Sequence, residues 1–420
     1  MTEIRHKAAI LGLLATALAG TMFAGEGPVP RGIPHLDHVF VIMMENHGYG
    51  QIVGNPNAPF TNRFAQSANA ATNYFAVAHP SLTNYLEVVG GSNFGVHSDN
   101  DPDWHDSNCT PDIVAKTINT DTPASPSICP IAGTGTDAET PVVDYTNETQ
   151  GPPGNVNVDG KVSFAAAAGT LGKTIADQLV AAHRSYKSYQ ESLPVGGADL
   201  ITYSDGFFTN LTDFSTVLPA LNPPLTPGDV VKLYAAKHNP FVYFQSTQEG
   251  TNPRNTLRNS VGFEALYADL ASGNVPTYSL IAPNQCNDQH GRGNAGPFCN
   301  FDPISNGTQA GLNPALIQQG DVTAQKIVTA IHRSPAWREG RNAIVLLWDE
   351  NDYSLAPNTN QVLTVVDTNY GVHGTQSSRF YTHFSLLKSV ESGLALPCLN
   401  HACDANVNVM SDLFRGRGDD

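Results

Sequence analysis

Four short stretches are apolar at almost every position and are closed at both ends by turn residues. They are Leu36–Met44 (LDHVFVIMM), Pro240–Gln245 (PFVYFQ), Thr277–Ala282 (TYSLIA) and Asn342–Trp348 (NAIVLLW). A strand buried on both faces reads this way, without polar alternation. Between them, Gly172–His183, Val261–Ala271, Asp321–Trp337 and His383–Leu394 carry apolar residues at the spacing of amphipathic helices. Such strands alternating with such helices predict an α/β fold: a doubly wound, mostly parallel sheet with helices on both faces. Asp99–Gln150 breaks the pattern, being rich in Asp, Asn, Thr, Pro and Gly. It reads as a long excursion from the sheet, a loop-rich insertion over about 99–165. No internal repeat or low-complexity linker divides the chain, so residues 30–415 are expected to form one domain with long loop insertions.

Composition narrows the class. The formal net charge is −16 and only 14% of residues are charged, against roughly 25% in an average soluble protein. Nucleic-acid binding needs a basic face, which this balance does not offer. A hydrophobic content of 40% with 18 Phe and 14 Tyr excludes a disordered acidic chain. At the N-terminus, Arg5 and Lys7 precede an apolar run from Ala8 to about Ala19, with Ala17-Leu18-Ala19 offering a small-residue cleavage site. This predicts a signal peptide over residues 1–19 and a secreted or periplasmic protein. No other stretch reaches the ~20 apolar residues of a membrane helix, so no stable membrane insertion is expected. The six cysteines fall into local pairs, Cys109/Cys129, Cys286/Cys299 and Cys398/Cys403. In an exported chain these read as disulfides that pin loops, neighbour pairing being the favoured of the possible connectivities.

In parallel sheets, ligands bind beyond the carboxyl ends of the strands. Met44 is followed by Glu45-Asn46-His47, Trp348 by Asp349-Glu350-Asn351-Asp352, and Ala282 by a segment that includes Asp288 and His290. Carboxylates, amides and imidazoles are thus delivered to one edge of the sheet. Ser81, in His79-Pro80-Ser81-Leu82-Thr83-Asn84-Tyr85, stands at the start of a helical stretch ending at Gly90-Gly91. A serine there can simply cap the helix. It can also be a nucleophile, because a helix N-terminus offers free N–H donors and a metal held by carboxylates would deprotonate it.

The blocks VIMMENH, AVAHPSLTNYLEVVGG, KHNPFVYFQS, PNQCNDQHG, LLWDENDYS and YTHFSLLKSVE occur in this order between about Val39 and Pro397. Together they resemble the phosphoesterase family of bacterial acid phosphatases and phospholipases C, a branch of the alkaline phosphatase superfamily. The resemblance implies a metal-assisted serine phosphotransfer site acting on small phosphate monoesters. It makes Ser81 the nucleophile and places Asn84 near the phosphate oxygens. Glu45 and Asn46 match the first metal-ligand block, and Asp349 and Glu350 the second. Asp288, His290, His373 and His383 match blocks that carry phosphate-contacting or ligand groups. The donor set suits one divalent ion, Mg, Ca or Mn, with Zn admitted if a histidine joins. His290 or His373 would assist the leaving alcohol.

Other signatures fail in context. Gly291–Gly296 spells G-x-G-x-x-G, but Pro297 and Cys299 follow where a helix must open. Asp99, Asp101 and Asp103 are spaced as in a calcium loop, yet Trp104 stands where Gly is required and Thr110 where Glu is. Asn147, Asn210 and Asn306 head glycosylation sequons that read as plain surface loops. There is no H-E-x-x-H and no G-x-S-x-G. A sulfatase would need Pro and Arg two and four residues after the nucleophile, where Thr83 and Tyr85 stand. Two alternatives to an exported acid phosphatase stay open: a phospholipase C–like phosphodiesterase and a non-catalytic surface protein that keeps the fold.

Overall fold

The computed structural model describes residues 26–77, 79, 81–94, 96, 172–193, 207–208, 231–291, 299, 313–351 and 360–416. The leader at 1–19, the insertion at 99–165, the Cys109/Cys129 pair, Asp352, the three sequons and most of the Gly291–Gly296 segment lie outside the described residues.

The centre of the molecule is β1 (His38–Met44), whose last six residues are buried. The other strands are β2 (Asn69–Phe75), β3 (Tyr186–Gln190), β4 (Phe207–Phe208), β5 (Val231–Lys232), β6 (Ser260–Val261), β7 (Tyr278–Ala282), β8 (Asn342–Trp348), β9 (Gln361–Thr368), β10 (Gln376–Ser377) and β11 (Tyr381–Thr382). The main sheet has the order β10-β2-β9-β8-β1-β7-β3-β6, with β11 also beside β2, while β4 and β5 form a separate ladder. All its pairings are parallel except the two made by β9, with β8 and with β2. The sheet is therefore mixed and mostly parallel, and every strand except β9 ends at the same edge. Register makes this concrete: Met44 pairs with Trp348, and Ile42 with Ile281.

The helices are α1 (Tyr49–Ile52), α2 (Pro59–Ser67), α3 (Ser81–Gly90), α4 (Ile175–Ala181), α5 (Gln245–Glu249), α6 (Phe263–Ser272), α7 (Pro314–Arg333) and α8 (His383–Gly393). One group packs α2 and α6 on α7, and the other packs α4 and α8 on α3, so both faces of the sheet are covered. Local signals place their ends. Asn313 caps α7, accepting from the amides of Ala315 and Leu316, and Pro314 fills the first turn. Farther along α7, Asp321 accepts from the amides of Phe60 and Thr61 at 2.9 and 2.7 Å and so caps α2. Gly273 ends α6 with φ +76°, a left-handed position suited to glycine.

One expected strand is corrected. Pro240–Gln245 winds instead into a 3₁₀ turn, Pro240–Tyr243, and runs on into α5. Periodicity cannot separate a buried strand from a buried turn when every residue is apolar, and Phe241, Val242, Tyr243 and Phe244 are all buried. The preceding Asn239 side chain fixes the turn through Tyr234, Ser188 and Ser260. Strands β2, β3 and β9 and helix α2 were not expected. Cys286–Cys299 and Cys398–Cys403 are bonded as the local pairing predicts. Among the described residues, no helix is long and apolar enough to cross a membrane.

Candidate functional site

Five elements converge on the carboxyl edge of the sheet. Glu45 and Asn46 follow β1, Asp349 and Glu350 follow β8, and Asp288 and His290 lie in the loop after β7. Ser81 opens α3 just beyond β2, and His238 closes the short 3₁₀ turn Ala236–His238. Backbone bonds tie the loops together: the Glu45 amide donates to the Asp288 carbonyl at 2.8 Å, and the Asp349 amide to the Met44 carbonyl at 3.0 Å. Asn46 reaches back with φ +58°, and its amide donates to Asp349 Oδ1 at 3.1 Å.

Glu45 is the hub. Ser81 Oγ lies 3.2 Å from its Oε2 and 3.0 Å from Glu350 Oε1, so the one hydroxyl proton has two carboxylate acceptors. Tyr85, one helical turn after Ser81, donates to Glu45 Oε1 at 2.6 Å. His238 Nε2 stands 3.1 Å from the same oxygen, its ring stacked on Tyr85, and its Nδ1 stands 3.4 Å from Asp288 Oδ2. On the other side, Glu350 Oε2 is held by His79 Nδ1 at 2.5 Å and by Asn84 Nδ2 at 3.3 Å.

Electrostatically the cluster is strained without a cation. Burial first, and then the charges of Asp349 and Asp288, push the Glu45 carboxyl well above its usual range. Burial likewise raises Asp288 and Asp349, and the neighbouring carboxylates add to it. Lys237 opposes the rise in all three. Asp349 Oδ2, Asp288 Oδ2 and Asn46 Oδ1 are buried and accept no hydrogen bond. Buried acceptors of this kind normally have a partner. Glu45, His238 and Asp288 each present a ligand atom within 4.8 Å of the others. Orphaned oxygens, mutual repulsion and this close approach are what a divalent cation would relieve, so the residues present fit one.

The site holds Glu45, Asn46, Ser81, Asn84, Asp288, His290, Asp349 and Glu350 together, as the sequence places them. His383 sits behind it. Its Nε2 donates to the Asp349 carbonyl at 2.6 Å and its Nδ1 faces Tyr74 Oη at 3.0 Å, and burial pulls it down to about 4, so it is a neutral support. His373 is not brought to the site. Its Nδ1 lies 3.5 Å from Asp367, and Asp367 pairs with Ile344 near the start of β8, at the opposite edge of the sheet. The reversed direction of β9 carries it there. His238, Lys237, His79 and Tyr85 were missed as site residues; all lie inside the KHNPFVYFQS and AVAHPSLTNYLEVVGG blocks, which were the available signal.

A serine hydroxyl at a helix start, facing buried carboxylates beyond the ends of parallel strands, is an arrangement that hydrolase sites of α/β proteins use. The sequence pattern of the Phosphoesterase family matches residues 54–297. The chain belongs to that family and is a phosphoric ester hydrolase. It is 25% identical over 415 residues to a phosphatidylinositol-3-phosphatase of Mycobacterium tuberculosis, covering 96% of this chain and 93% of that protein. It is 23% identical to an acid phosphatase of Aspergillus fumigatus, covering 88% of this chain and 57% of that protein. A phosphate-repressible acid phosphatase of Penicillium chrysogenum is 25% identical, with 82% and 57% covered. The chain thus spans little more than half the length of these fungal enzymes. Among solved structures, a protein of the alkaline phosphatase superfamily from Vibrio parahaemolyticus aligns over 87% of this chain and 69% of its own, with TM-score 0.40 and 10% identity.

Proposed function

We propose that this chain is an exported acid phosphatase that hydrolyses phosphate monoesters through a phosphoserine on Ser81. The observation that carries this reading is the position of Ser81 Oγ, buried at the first residue of α3 and within 3.2 and 3.0 Å of the Glu45 and Glu350 carboxylates. Phosphoryl transfer requires chiefly an aligned nucleophile and neutralised phosphate charge. Ser81 attacks phosphorus in line, and its proton passes to Glu350, which His79 and Asn84 hold in place. The Asn84 side-chain amide, with its Oδ1 fixed by the Val77 amide at 3.1 Å, presents an N–H toward the same region. In the second half-reaction water attacks the phosphoserine and Glu350 returns the proton to Oγ. Glu45, Asp288 and His238, with Asn46 and Asp349 beside them, would hold the divalent ion. When bound there, such an ion would supply positive charge to the phosphate oxygens and would lower the hydroxyl pKa. The histidine nitrogen extends the compatible ions to Zn alongside Mg, Ca and Mn.

Export rests on the leader pattern and fits the two disulfides, and one domain over 30–415 accommodates every site residue. The mycobacterial relative makes a phosphoinositide monoester a natural second substrate to test. The test is turnover of 4-nitrophenyl phosphate, phosphatidylinositol 3-phosphate and a phosphocholine diester by purified protein, with chelator and metal add-back. The expected result is monoester hydrolysis that chelation abolishes, metal restores, and Ser81→Ala lowers by at least about 1,000-fold. Wild-type turnover in Ser81→Ala would end this scheme, and preference for the diester would favour the phosphodiesterase reading.

A further inference from the structure

From the Glu45 oxygen that Ser81 does not touch, contacts run to His238, Asp288, His290 and Lys237. The His238 ring lies between Glu45 Oε1 and Asp288 Oδ2, at 3.1 and 3.4 Å, while Ser81 is on Glu45 Oε2. The His290 amide donates to Asp288 Oδ1 at 2.7 Å, and the His290 ring lies 6.1 Å from that of His238. His290 Nδ1 stands 2.9 Å from the Gly291 carbonyl, which can only accept, so Nδ1 carries the ring proton. Its Nε2 therefore offers a lone pair, and Lys237 Nζ stands 3.4 Å from it. In this state His290 has no Nε2 proton to give to a departing oxygen. The half-buried ammonium beside it has N–H donors.

We propose that Lys237, held by His290 Nε2, is the group that stabilises the departing oxygen, so that Lys237 is the catalytic residue on the leaving-group side and His290 its positioning residue. The proposal rests on the phosphomonoesterase reading above. An in-line displacement puts the leaving oxygen opposite Ser81 Oγ across phosphorus, and the contacts that lead to Lys237 start from the Glu45 oxygen that Ser81 does not touch. The Oγ–P bond forms and the ester P–O bond breaks, its electron pair staying on the departing oxygen. A Lys237 N–H donates a hydrogen bond to that oxygen, which leaves as the alcohol with a proton from solvent. Ser81's own proton resides on Glu350 until water cleaves the phosphoserine, and that water releases a proton to solvent, so the cycle balances. Lys237 directly precedes His238 in the turn Ala236–His238, which keeps the ammonium beside the cluster.

Stabilisation of a departing oxygen matters more the more basic that oxygen is. The experiment compares kcat/KM, which reports the first chemical step, for 4-nitrophenyl phosphate and glycerol 1-phosphate in wild type, Lys237→Met, Lys237→Arg and His290→Gln, all metal-loaded. We expect Lys237→Met to lose about 100-fold on the alkyl ester, the usual effect of removing one donor to developing charge, and about tenfold less than that on the aryl ester. Lys237→Arg should restore much of the alkyl activity, and His290→Gln should shift the ratio in the same direction by a smaller factor. The ratio of the two substrates within one variant does not depend on how much of the sample is folded. Equal losses on both esters would overturn the inference while leaving the phosphatase reading intact. A wild-type protein inactive on both would sink that reading and this inference with it.

Discussion

Ser81 and Tyr85 occupy the same face of α3, one turn apart, and each addresses one oxygen of Glu45, at 3.2 and 2.6 Å. Tyr85 makes the shorter bond, and burial first, and then the charge of Glu45, push its hydroxyl pKa well up, so it keeps its proton. A donor behind a metal-binding carboxylate fixes its orientation. Tyr85→Phe should therefore leave the fold intact yet weaken divalent-ion binding by about tenfold, with kcat/KM falling in parallel at limiting metal. Calorimetric titration of the metal-free protein checks this, and unchanged affinity would make Tyr85 a packing residue only. The placement of Glu45, Ser81, Asp349 and Glu350 at the sheet edge was legible in the sequence because each lies within two residues of the end of a buried strand or opens a helix. His238 was not, because it ends a short 3₁₀ turn that follows no strand of the main sheet, and the apolar run after it imitates one. His373 was over-read for a related reason: nothing in QVLTVVDT tells which way β9 runs, and direction alone decides which edge its C-terminus reaches.

Elements hold these side chains in place as much as their own contacts do. The loop after β7 carries Asp288 and His290, and Gln289 between them adopts φ +84°. Its side chain accepts from Trp348 Nε1 at 2.9 Å and donates to the Ile317 carbonyl of α7 at 2.9 Å, bridging β8 to a helix on that face of the sheet. Gly320 of α7 leaves room for that side chain, since a Cβ there would collide with Gln289 Cγ. Gly320→Ala should cost about 1–3 kcal/mol as an overpacked core site and also lower kcat, though Gly320 touches no reacting group. Thermal unfolding and turnover measured on one preparation separate the effects. Lost stability with full turnover at low temperature would show that the loop repacks freely. Strands β1, β7 and β8 were legible as continuous apolar runs, and α6 and α8 as apolar periodicity. Strand β2 (NAATNYF) was not, because its small and polar residues are buried by tertiary neighbours, Asn69 through the Val372 and Leu413 carbonyls at 2.8 Å.

At the scale of the whole molecule, 38 Asp and Glu against 22 Lys and Arg would suggest a skin of solvated carboxylates. Yet Glu45, Asp288, Asp349 and Glu350 are buried together at one sheet edge, so the metal-free fold carries repulsion concentrated at its functional end. The sign of the pH dependence follows. Burial, with the neighbouring charges, raises Glu45, Asp288 and Asp349 above their unfolded values. Below about pH 4 these groups are protonated in both states and their contribution to stability is fully present. As pH climbs, the unfolded chain ionises first, and stability is lost until the folded groups ionise too. A divalent ion favours the ionised cluster and competes with protons for it, so it binds the fold more tightly at higher pH and stabilises it by mass action. The chelated protein should therefore melt at a lower temperature at about pH 7.5 than at about pH 5, and added metal should raise Tm far more at the higher pH. Scanning calorimetry at both pH values, with chelator and then with excess metal, reads the difference directly. An equal gain at both would place the ion away from these carboxylates, and no gain at either would remove it from the site.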